Sequence, residues 1–341
     1  MLYTNKTEFT HENTDKFRIL GRSISDETGL YFTWSNNGIE FAFKGGDRVN
    51  IHFGDYNCDA PVYVKVYVDG KTEKHCLYGK DPKIVIDGLD NAKHKILLLR
   101  ISEGGTPLIF KKAEIYGKNP VLLAPPKEKK LRIEFIGDSI TCGFGDIAPR
   151  SQDTYYTYQQ DSTETYAYYT AKKLGAEIRT VCISGQGVYR NCSKEEGTPF
   201  IKIFDMSLRG KYGYDHSTWI PDVVVLNCGT NDVPGGTEPD VMYEEGGKLI
   251  DKVRSAYPTS SIIWIYGMMN DKFNDTLKKL VSDKKKSGDN KIYYLYFKSI
   301  YGFKNEVGAI GHPNANASER VSKKLAKYIE KILIDEGKIK R

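Results

Sequence analysis

The chain has 341 residues, 40% of them hydrophobic and 28% charged, which is typical of a soluble globular protein and long enough for two domains. Its longest apolar runs, such as residues 223–226, are far too short to span a bilayer, so no membrane partner is expected. A formal net charge of +6, with no nucleic-acid-binding motif beside it, argues against a nucleic-acid partner.

Cysteine usage and the N-terminal residues bear on metal binding and on location. The six cysteines are scattered without CxxC spacing, which predicts neither a zinc site nor a disulfide scaffold. The stretch "MLYTNKTEFTHENTDKF" has no apolar core of the kind found in secretory signals. We therefore expect no metal site and a cytoplasmic location.

The first third of the chain has a hydrophobic pattern with a period of two. Apolar residues alternate with other residues from Ile39 to Phe43, and the alternation resumes after a Gly45–Gly46 turn. Further on, valines at every second position precede Asp69–Gly70, which is a strong hairpin signal. Because many short strands occur here with no helical stretch, we predict an antiparallel β-sandwich of jelly-roll type over residues 1–120.

The rest of the chain alternates between strands and helices. Residues 121–130 contain tandem prolines followed by charges, and we predict a linker there, followed by one domain over residues 131–341. Because its strands are apolar almost throughout, we expect a parallel sheet covered by helices on both faces, a three-layer α/β/α architecture whose active site lies at the carboxyl ends of the strands. The predicted strands are 132–137, 177–183, 222–228, 261–267 and 291–297, and the predicted helices lie near 163–174, 240–256, 271–286 and 318–335.

Three of these strands end in residues that suit acyl-transfer chemistry. The first ends in "FIGDS", which delivers Ser139 where the strand meets solvent, although Gly-Asp-Ser is also a common turn or helix N-cap and lacks the GxSxG pattern. Gly185 follows the second strand and can turn its N–H outward, but it equally fits an ordinary strand-exit turn. Asn231 follows the third strand and can direct its amide at a developing negative charge.

A nucleophilic serine also needs a base, and His312 is the candidate. It precedes Pro313 and the C-terminal helix, whereas four of the six histidines belong to the first half of the chain. His216, in a polar segment, is the one competitor. The N–H groups of Ser139 and Gly185 and the side chain of Asn231 would form the oxyanion hole.

Together these stretches resemble the SGNH (GDSL-type) hydrolase superfamily over residues 131–341: "GDS" supplies Ser139, "ISG" supplies Gly185, "GTND" supplies Asn231 and "HP" supplies His312. The stretch "GRSISDETGLYFTWSNNGIEFAFKG" is similar to the jelly-roll domain that precedes the catalytic domain in carbohydrate esterase family 2. The resemblance implies a serine esterase that removes O-acetyl groups from xylan, xylo-oligosaccharides or related plant glycans through an acetyl-enzyme, without a metal or cofactor.

The sequence departs from the superfamily's pattern at the residues before the histidine. Most SGNH enzymes hold the imidazole with an aspartate two or three residues upstream, where this chain has Ala309 and Ile310. Some members of the esterase family resemble a Ser–His dyad oriented by a main-chain carbonyl, and we predict that Gly311 supplies it. The alternatives are a carboxylate from elsewhere, such as Glu306, and a decayed site that leaves a glycan-binding protein.

A long segment, residues 141–162, separates the serine from its helix. It carries Tyr155, Tyr156 and Tyr158, which either stack on a sugar or pin the segment to the first domain. The Asp161–x–x–Glu164 spacing predicts a capping box at the start of the next helix. A lipid esterase or thioesterase on the same fold is the remaining alternative, since one fold supports many functions.

Overall fold

The structure, a computed structural model, describes residues 5–57, 59–149, 151–194 and 197–339. The chain forms two compact units. One extends to Glu128 and includes Ser207–Arg209, and the other comprises Lys129–Met206 and the residues from Gly210 onward. Among the described residues, no helix combines the length and the apolar character that crossing a membrane requires.

The first unit consists of two six-stranded antiparallel sheets. One has the order β3-β4-β11-β6-β9 with β1 paired to β11, and the other has the order β12-β5-β10-β7-β8 with β2 paired to β5. The strands are β1 (Asn5–Thr10), β2 (Arg18–Leu20), β3 (Ile24–Asp26), β4 (Gly29–Phe32), β5 (Gly38–Lys44), β6 (Arg48–Phe53), β7 (Val62–Val68), β8 (Lys71–Leu77), β9 (Lys83–Asp87), β10 (Lys93–Arg100), β11 (Leu108–Gly117) and β12 (Val121–Leu122).

The period of two in the sequence produces the core of this unit. Side chains that alternate along each strand face the opposite sheet, and the ring of Phe9 on β1 meets that of Phe41 on β5 edge to face, with centroids 5.0 Å apart. The predicted antiparallel β-sandwich is thereby confirmed. Val121 and Leu122 pair with β5, so the first residues of the segment predicted as a linker belong to the sandwich.

The second unit has a five-stranded parallel sheet with the order β14-β13-β17-β18-β19. Its strands are β13 (Arg132–Gly137), β14 (Glu177–Cys182), β17 (Val223–Asn227), β18 (Ser261–Tyr266) and β19 (Ile292–Tyr296), and a short pair, β15 (Met206–Leu208) and β16 (Lys211–Tyr212), lies outside this sheet. The helices are α1 (Ser139–Cys142), α2 (Tyr166–Lys173), α3 (Phe200–Ile203), α4 (Pro239–Ala256), α5 (Asn274–Lys286) and α6 (Ala315–Asp335).

Helices cover both faces of the parallel sheet, which confirms the predicted three-layer architecture. On one face, α2 and α6 pack over Phe135 and Ile263 with a core that includes Tyr166 and Leu325. On the other face, α4 packs closely against the sheet. Its Gly246 lies so near Trp264 of β18 that an added Cβ would be 3.3 Å from the Trp264 ring. Every residue of β17 and β18 is therefore buried, which explains their continuous apolar pattern.

Helices α2, α5 and α6 each begin three residues away from the predicted start, and side-chain caps explain the differences for α2 and α6. Asp161 caps a separate 3-10 turn, Ser162–Glu164, whereas α2 begins at Tyr166 with Thr165 as its N-cap. The predicted capping box therefore does not open the helix. In α6 the Asn314 side chain accepts hydrogen bonds from the N–H groups of Asn316 and Ala317, so this helix starts three residues earlier than predicted.

Candidate active site

The strand register brings three loops to one edge of the parallel sheet. Gly137, the last residue of β13, pairs with Cys182 on β14 and with Asn227 on β17. Ser139, Gly185 and Asn231 follow these three residues at two, three and four positions, respectively. Because the strands are parallel and adjacent, all three leave the sheet at its carboxyl edge, as the sequence predicts.

Ser139 and His312 are in direct contact. The Nε2 atom of His312 lies 2.9 Å from the Oγ atom of Ser139, and its Nδ1 atom lies 3.0 Å from the carbonyl oxygen of Ile310. A carbonyl oxygen can only accept a hydrogen bond, so Nδ1 carries the ring proton and Nε2 is left to accept from the serine hydroxyl. This is the arrangement that a general base next to a nucleophile requires.

The carbonyl that orients His312 is that of Ile310, so our prediction of Gly311 is wrong. The Gly311 carbonyl instead accepts a hydrogen bond from the Tyr301 hydroxyl at 3.0 Å. The reason is a tight turn, closed by a 3.1 Å hydrogen bond from His312 N–H to the Ala309 carbonyl. Its central residues, Ile310 and Gly311, have φ values of 48° and 69°, the positive pair found in type I′ turns, and this conformation turns the Ile310 carbonyl toward the ring.

The alternative orienter, Glu306, is engaged with helix α6. Its two carboxylate oxygens accept hydrogen bonds from Nε and Nη2 of Arg320, each at 2.7 Å. Such a bidentate pair fixes both partners. Glu306 therefore secures the loop before the histidine to the last helix, and it does so through Arg320.

The ring of the competing histidine, His216, packs and hydrogen-bonds away from Ser139. Its ring stacks on Phe204 with centroids 4.1 Å apart. Its Nδ1 atom lies 3.0 Å from the Tyr257 hydroxyl, and its Nε2 atom lies 3.3 Å from a carboxylate oxygen of Asp205. These contacts use both ring nitrogens away from any serine, which leaves His312 as the base candidate.

The three candidate oxyanion donors differ in what fixes them. Ser139 begins the short helix α1, whose N-cap Asp138 accepts from the Ile140 N–H at 3.0 Å, and N–H groups at the start of a helix have no intrahelical partner. Gly185 has a φ of 79°, a conformation that favours glycine. The Asn231 Nδ2 atom donates to the Gln186 carbonyl at 2.9 Å, and its second hydrogen can serve an oxyanion.

Asp232 joins the loop after β17 to the loop after β14. Its carboxylate accepts hydrogen bonds from the N–H groups of Val188, Tyr189 and Arg190 at 2.7, 2.8 and 3.0 Å. Burial raises the pKa of Asp232 above its ordinary value, and these three hydrogen bonds act against that rise. The carboxylate thereby holds the loop that carries Gly185.

Asp232 is not among the predicted site residues, but one feature of the sequence points to its role. The second glycine of "SGQG", Gly187, lies so close to the Asp232 carboxylate that an added Cβ would be 2.5 Å from one of its oxygens. A glycine with no positive-φ requirement marks such a close approach of backbone and side chain.

The three predicted tyrosines make two different sets of ring contacts. Tyr155 stacks on Phe144 with centroids 3.7 Å apart, and Phe144 in turn lies against His312 with centroids 4.7 Å apart. Tyr156 and Tyr158 stack on each other at 5.5 Å with an interplanar angle of 12°, and they are 52% and 53% exposed. Phe144 was missed by the sequence reasoning, although its place between Gly143 and Gly145 in "GFG" marks a sharply turning segment.

Among the described residues, no group of three or more His, Cys, Asp or Glu side chains is placed to hold a metal ion. The chemistry available to the site is that of a serine, a neutral imidazole and hydrogen-bond donors.

Comparison with known protein families divides the chain as the fold does. Residues 19–126 match the Carbohydrate esterase 2 N-terminal family, and residues 135–293 match the GDSL-like Lipase/Acylhydrolase family. The two matches lie on the sandwich and on the parallel-sheet unit, respectively. Each half of the chain is therefore recognised independently of the other.

Similar proteins are esterases that act on carbohydrates. The chain is 28% identical over 317 residues to the cellulase/esterase CelE of Acetivibrio thermocellus, with 90% of this chain aligned but only 38% of that longer protein. It is 24% identical to an acetylxylan esterase / glucomannan deacetylase of Cellvibrio japonicus, covering 92% of this chain and 89% of the relative.

Solved structures agree with this. A family two carbohydrate esterase from Clostridium thermocellum, determined in complex with cellohexaose, superimposes with a TM-score of 0.84 at 25% identity, covering 93% of this chain and 99% of that one. An acetyl xylan esterase from the rumen bacterium Butyrivibrio proteoclasticus, 19% identical, shares the fold with a TM-score of 0.87, covering 96% and 99%. The chain thus combines a match to the Carbohydrate esterase 2 N-terminal family with a match to the GDSL-like hydrolases, and the solved structures similar to it include family two carbohydrate esterases.

Proposed function

We propose that this protein is a serine esterase that removes O-acetyl groups from acetylated xylan, xylo-oligosaccharides or related plant glycans. The observation that carries the proposal is the 2.9 Å contact between His312 Nε2 and Ser139 Oγ, with Nδ1 held by a carbonyl so that Nε2 is the basic nitrogen. A serine alone is a weak nucleophile, and a correctly oriented imidazole is what activates it.

Acylation begins when His312 accepts the proton of Ser139 while the serine Oγ attacks the acetyl carbonyl carbon. The carbonyl oxygen becomes an oxyanion, which the N–H groups of Ser139 and Gly185 and the Asn231 amide stabilise. The imidazolium then gives its proton to the sugar oxygen as the ester C–O bond breaks, which releases the sugar hydroxyl and leaves acetyl-Ser139.

Deacylation repeats these steps with water in place of the serine hydroxyl. His312 takes a proton from the water, whose oxygen attacks the acetyl carbon, and the same donors hold the second oxyanion. The proton returns to Ser139 as the acetyl–serine bond breaks. Acetic acid leaves and loses its proton to the solvent to give acetate, and the serine and the neutral imidazole are restored, so that no metal or cofactor is needed.

We assign the orienting role to the main-chain carbonyl of Ile310 in a Ser–His dyad. A carbonyl dipole selects the same tautomer as an aspartate would, because both accept from Nδ1–H. It brings a partial rather than a full negative charge to the imidazolium that forms during the reaction. The dyad therefore needs its geometry fixed by other contacts, which the turn at Ala309–His312 provides.

The substrate class rests on the relatives and on exposed aromatic surface. One relative is named for both acetylxylan and glucomannan, and a solved relative holds cellohexaose, so a β-linked plant glycan is the substrate type that they suggest. In this chain, the stacked rings of Tyr156 and Tyr158 offer exposed faces of the kind on which sugar rings pack. We assign these two tyrosines to glycan binding and Tyr155 to the wall behind His312.

The test is acetate release from acetylated xylo-oligosaccharides by the wild type and by Ser139→Ala. We expect release by the wild type and its loss in the variant, while Ser287→Ala, a change at an exposed serine of the same unit, leaves the rate unchanged. Release that persists in Ser139→Ala would overturn the assignment of the nucleophile. Absence of release by the wild type, both from these oligosaccharides and from 4-nitrophenyl acetate, would overturn the esterase proposal.

A further inference from the structure

Three aromatic rings lie in series at the candidate base. Tyr155 stacks on Phe144, with centroids 3.7 Å apart and planes inclined by 21°. Phe144 lies against His312, with centroids 4.7 Å apart and planes inclined by 43°. The Tyr155 hydroxyl donates to the side chain of Gln160 at 2.9 Å, and the Gln160 amide donates to the Cys142 carbonyl at 2.8 Å. The outer ring of the series is therefore anchored to the helix that begins with the nucleophile.

The backbone holds Phe144 between the nucleophile and the base. Its N–H donates to the Ser139 carbonyl at 3.0 Å, and the carbonyl of the next residue, Gly145, accepts from the Ala309 N–H at 3.2 Å. Gly145 has a φ of 66°, and a Cβ added to it would lie 2.5 Å from the Ala309 Cβ. The close approach holds the backbone beside Phe144 against the turn that carries His312.

This placement matters because of the charge that His312 acquires. When the imidazole takes the serine proton it becomes a cation, and its partner at Nδ1 is the neutral carbonyl of Ile310. The face of an aromatic ring attracts a cation whose centre lies within about 6 Å of the ring centroid. Phe144 satisfies that distance, so its ring can favour the imidazolium over the neutral ring in the transition state.

We propose that Phe144, backed by Tyr155, is a positioning residue that fixes the plane of the His312 imidazole and stabilises its charged form. The ring thereby supplies part of what an orienting carboxylate would supply. This inference rests on the proposed function, since it assumes that His312 becomes protonated during turnover. The groups that face the imidazole include the Ser139 hydroxyl, the Ile310 carbonyl and the Phe144 ring.

The inference can be tested by changing the charge distribution of the ring without changing its shape. Phenylalanine, 4-fluorophenylalanine, 3,5-difluorophenylalanine and 3,4,5-trifluorophenylalanine would be placed at position 144. Each added fluorine withdraws electron density from the ring face. We expect kcat for acetate release to fall with each step, reaching a loss of about two- to fivefold in the trifluoro protein, with KM changed by less than about twofold.

A matched control exists in the same unit. Phe204 stacks on His216 at 4.1 Å, which is an aromatic–histidine pair outside the candidate site. The same fluorinated series at position 204 should leave kcat unchanged. Equal kcat values across the series at position 144 would overturn the electrostatic role and leave Phe144 as packing alone.

A second variant and a second measurement separate this inference from the proposed function. Phe144→Leu keeps apolar volume but has no ring, and we expect a larger loss of kcat that Phe144→Tyr restores. In ¹⁵N-histidine NMR spectra, the titration midpoint of His312 should fall along the fluorinated series whether or not acetate is released. A shifted midpoint without turnover would refute the esterase proposal and keep the ring's role, whereas turnover with unshifted midpoints and constant kcat would refute the ring's role alone.

Discussion

The carbonyl oxygen of Ile310 lies 3.0 Å from Nδ1 of His312, and Ile310 reaches this position in a left-handed conformation, with a φ of 48°. A β-branched residue at positive φ is a genuine outlier, because its branched side chain crowds the backbone. Such strain costs on the order of 1–3 kcal/mol and persists where the surrounding structure enforces it. Here the Ile310 N–H is held by the Gln152 carbonyl at 2.7 Å, within the long segment that follows the nucleophile.

Replacing Ile310 with asparagine should therefore stabilise the parallel-sheet unit. Asparagine tolerates the left-handed region, and the orienting carbonyl belongs to the backbone, so kcat should stay within about twofold of the wild type. Relief of about 1 kcal/mol corresponds to a rise of about 2–4 °C in Tm for a domain of this size. Differential scanning calorimetry and acetate release would measure the two effects.

Ile220 provides the matched control for this change. It is 45% exposed against 46% for Ile310, and it is not among the described residues with positive φ. Ile220→Asn should not raise Tm. A fall in Tm for Ile310→Asn, or a large loss of kcat, would show that the isoleucine side chain itself is required at the turn.

Asn231→Ala should lower kcat by about 10²–10³ with a small change in KM, because an oxyanion donor acts mainly in the transition state. The side chain also donates to the Gln186 carbonyl, so stability must be measured beside activity. Asn290→Ala, at an exposed loop position of the same unit, serves as the control. If kcat of Asn231→Ala remained within threefold of the wild type, the side chain would hold the Gln186 loop without contributing to the oxyanion hole.

The fold, and the placement of the candidate site residues at one edge of the sheet, could be predicted because they depend on patterns that survive in one sequence. Continuous apolar strands predict a covered parallel sheet, and the residues that follow adjacent strands must meet at one edge, as Ser139, Gly185 and Asn231 do. The identity of the orienting carbonyl could not be predicted in the same way. Glycine is the usual left-handed residue and nothing in an isoleucine signals positive φ, so the sequence does not distinguish the Ile310 carbonyl from the Gly311 carbonyl.

Contacts between side chains that lie far apart in the sequence could not be predicted either. Phe144 precedes His312 by 168 positions (312 − 144), and its ring contact arises from the long loop rather than from any regular element. The helix start at Tyr166 was misassigned for a local reason, since Asp161 and Thr165 both suit an N-cap and only the intervening 3-10 turn decides between them. Local sequence preference identifies the residues that can form a cap or a contact, and tertiary packing determines which of them do.

The stacked pair of Tyr156 and Tyr158 should affect glycan substrates and spare small ones. Removing both rings in Tyr156→Ala/Tyr158→Ala should raise KM for acetylated xylo-oligosaccharides by about tenfold, since an aromatic packing contact contributes about 0.5–1.5 kcal/mol for each ring. KM for 4-nitrophenyl acetate should not change. Tyr212→Ala, at a tyrosine 57% exposed, is the control. Equal KM effects on both substrates would indicate that the pair supports the loop and does not bind glycan.

Glu114 should make the stability of the β-sandwich depend on pH. Its buried carboxylate accepts hydrogen bonds from Lys112 and Tyr116 at 2.8 Å and from Lys6 at 3.0 Å, and it lies 2.8 Å from Nε2 of His52. Burial alone would raise the pKa of Glu114, but these partners hold it well below its ordinary value of 4.5. A carboxyl with a lowered folded-state pKa contributes stability that is present above pH 4.5 and is lost as pH falls toward the folded value.

Glu114→Gln should therefore lower the Tm of the sandwich by about 5 °C at neutral pH, because the charged partners lose the negative charge that they share and one of its two acceptor oxygens. Below pH 4.5 the wild-type Tm should fall more steeply than that of the variant, and the two curves should converge. Glu73→Gln, at a largely exposed glutamate of the same unit, should leave the Tm unchanged. Parallel Tm curves for wild type and Glu114→Gln down to pH 3 would show that the carboxylate contributes to stability through its shape and not through its charge.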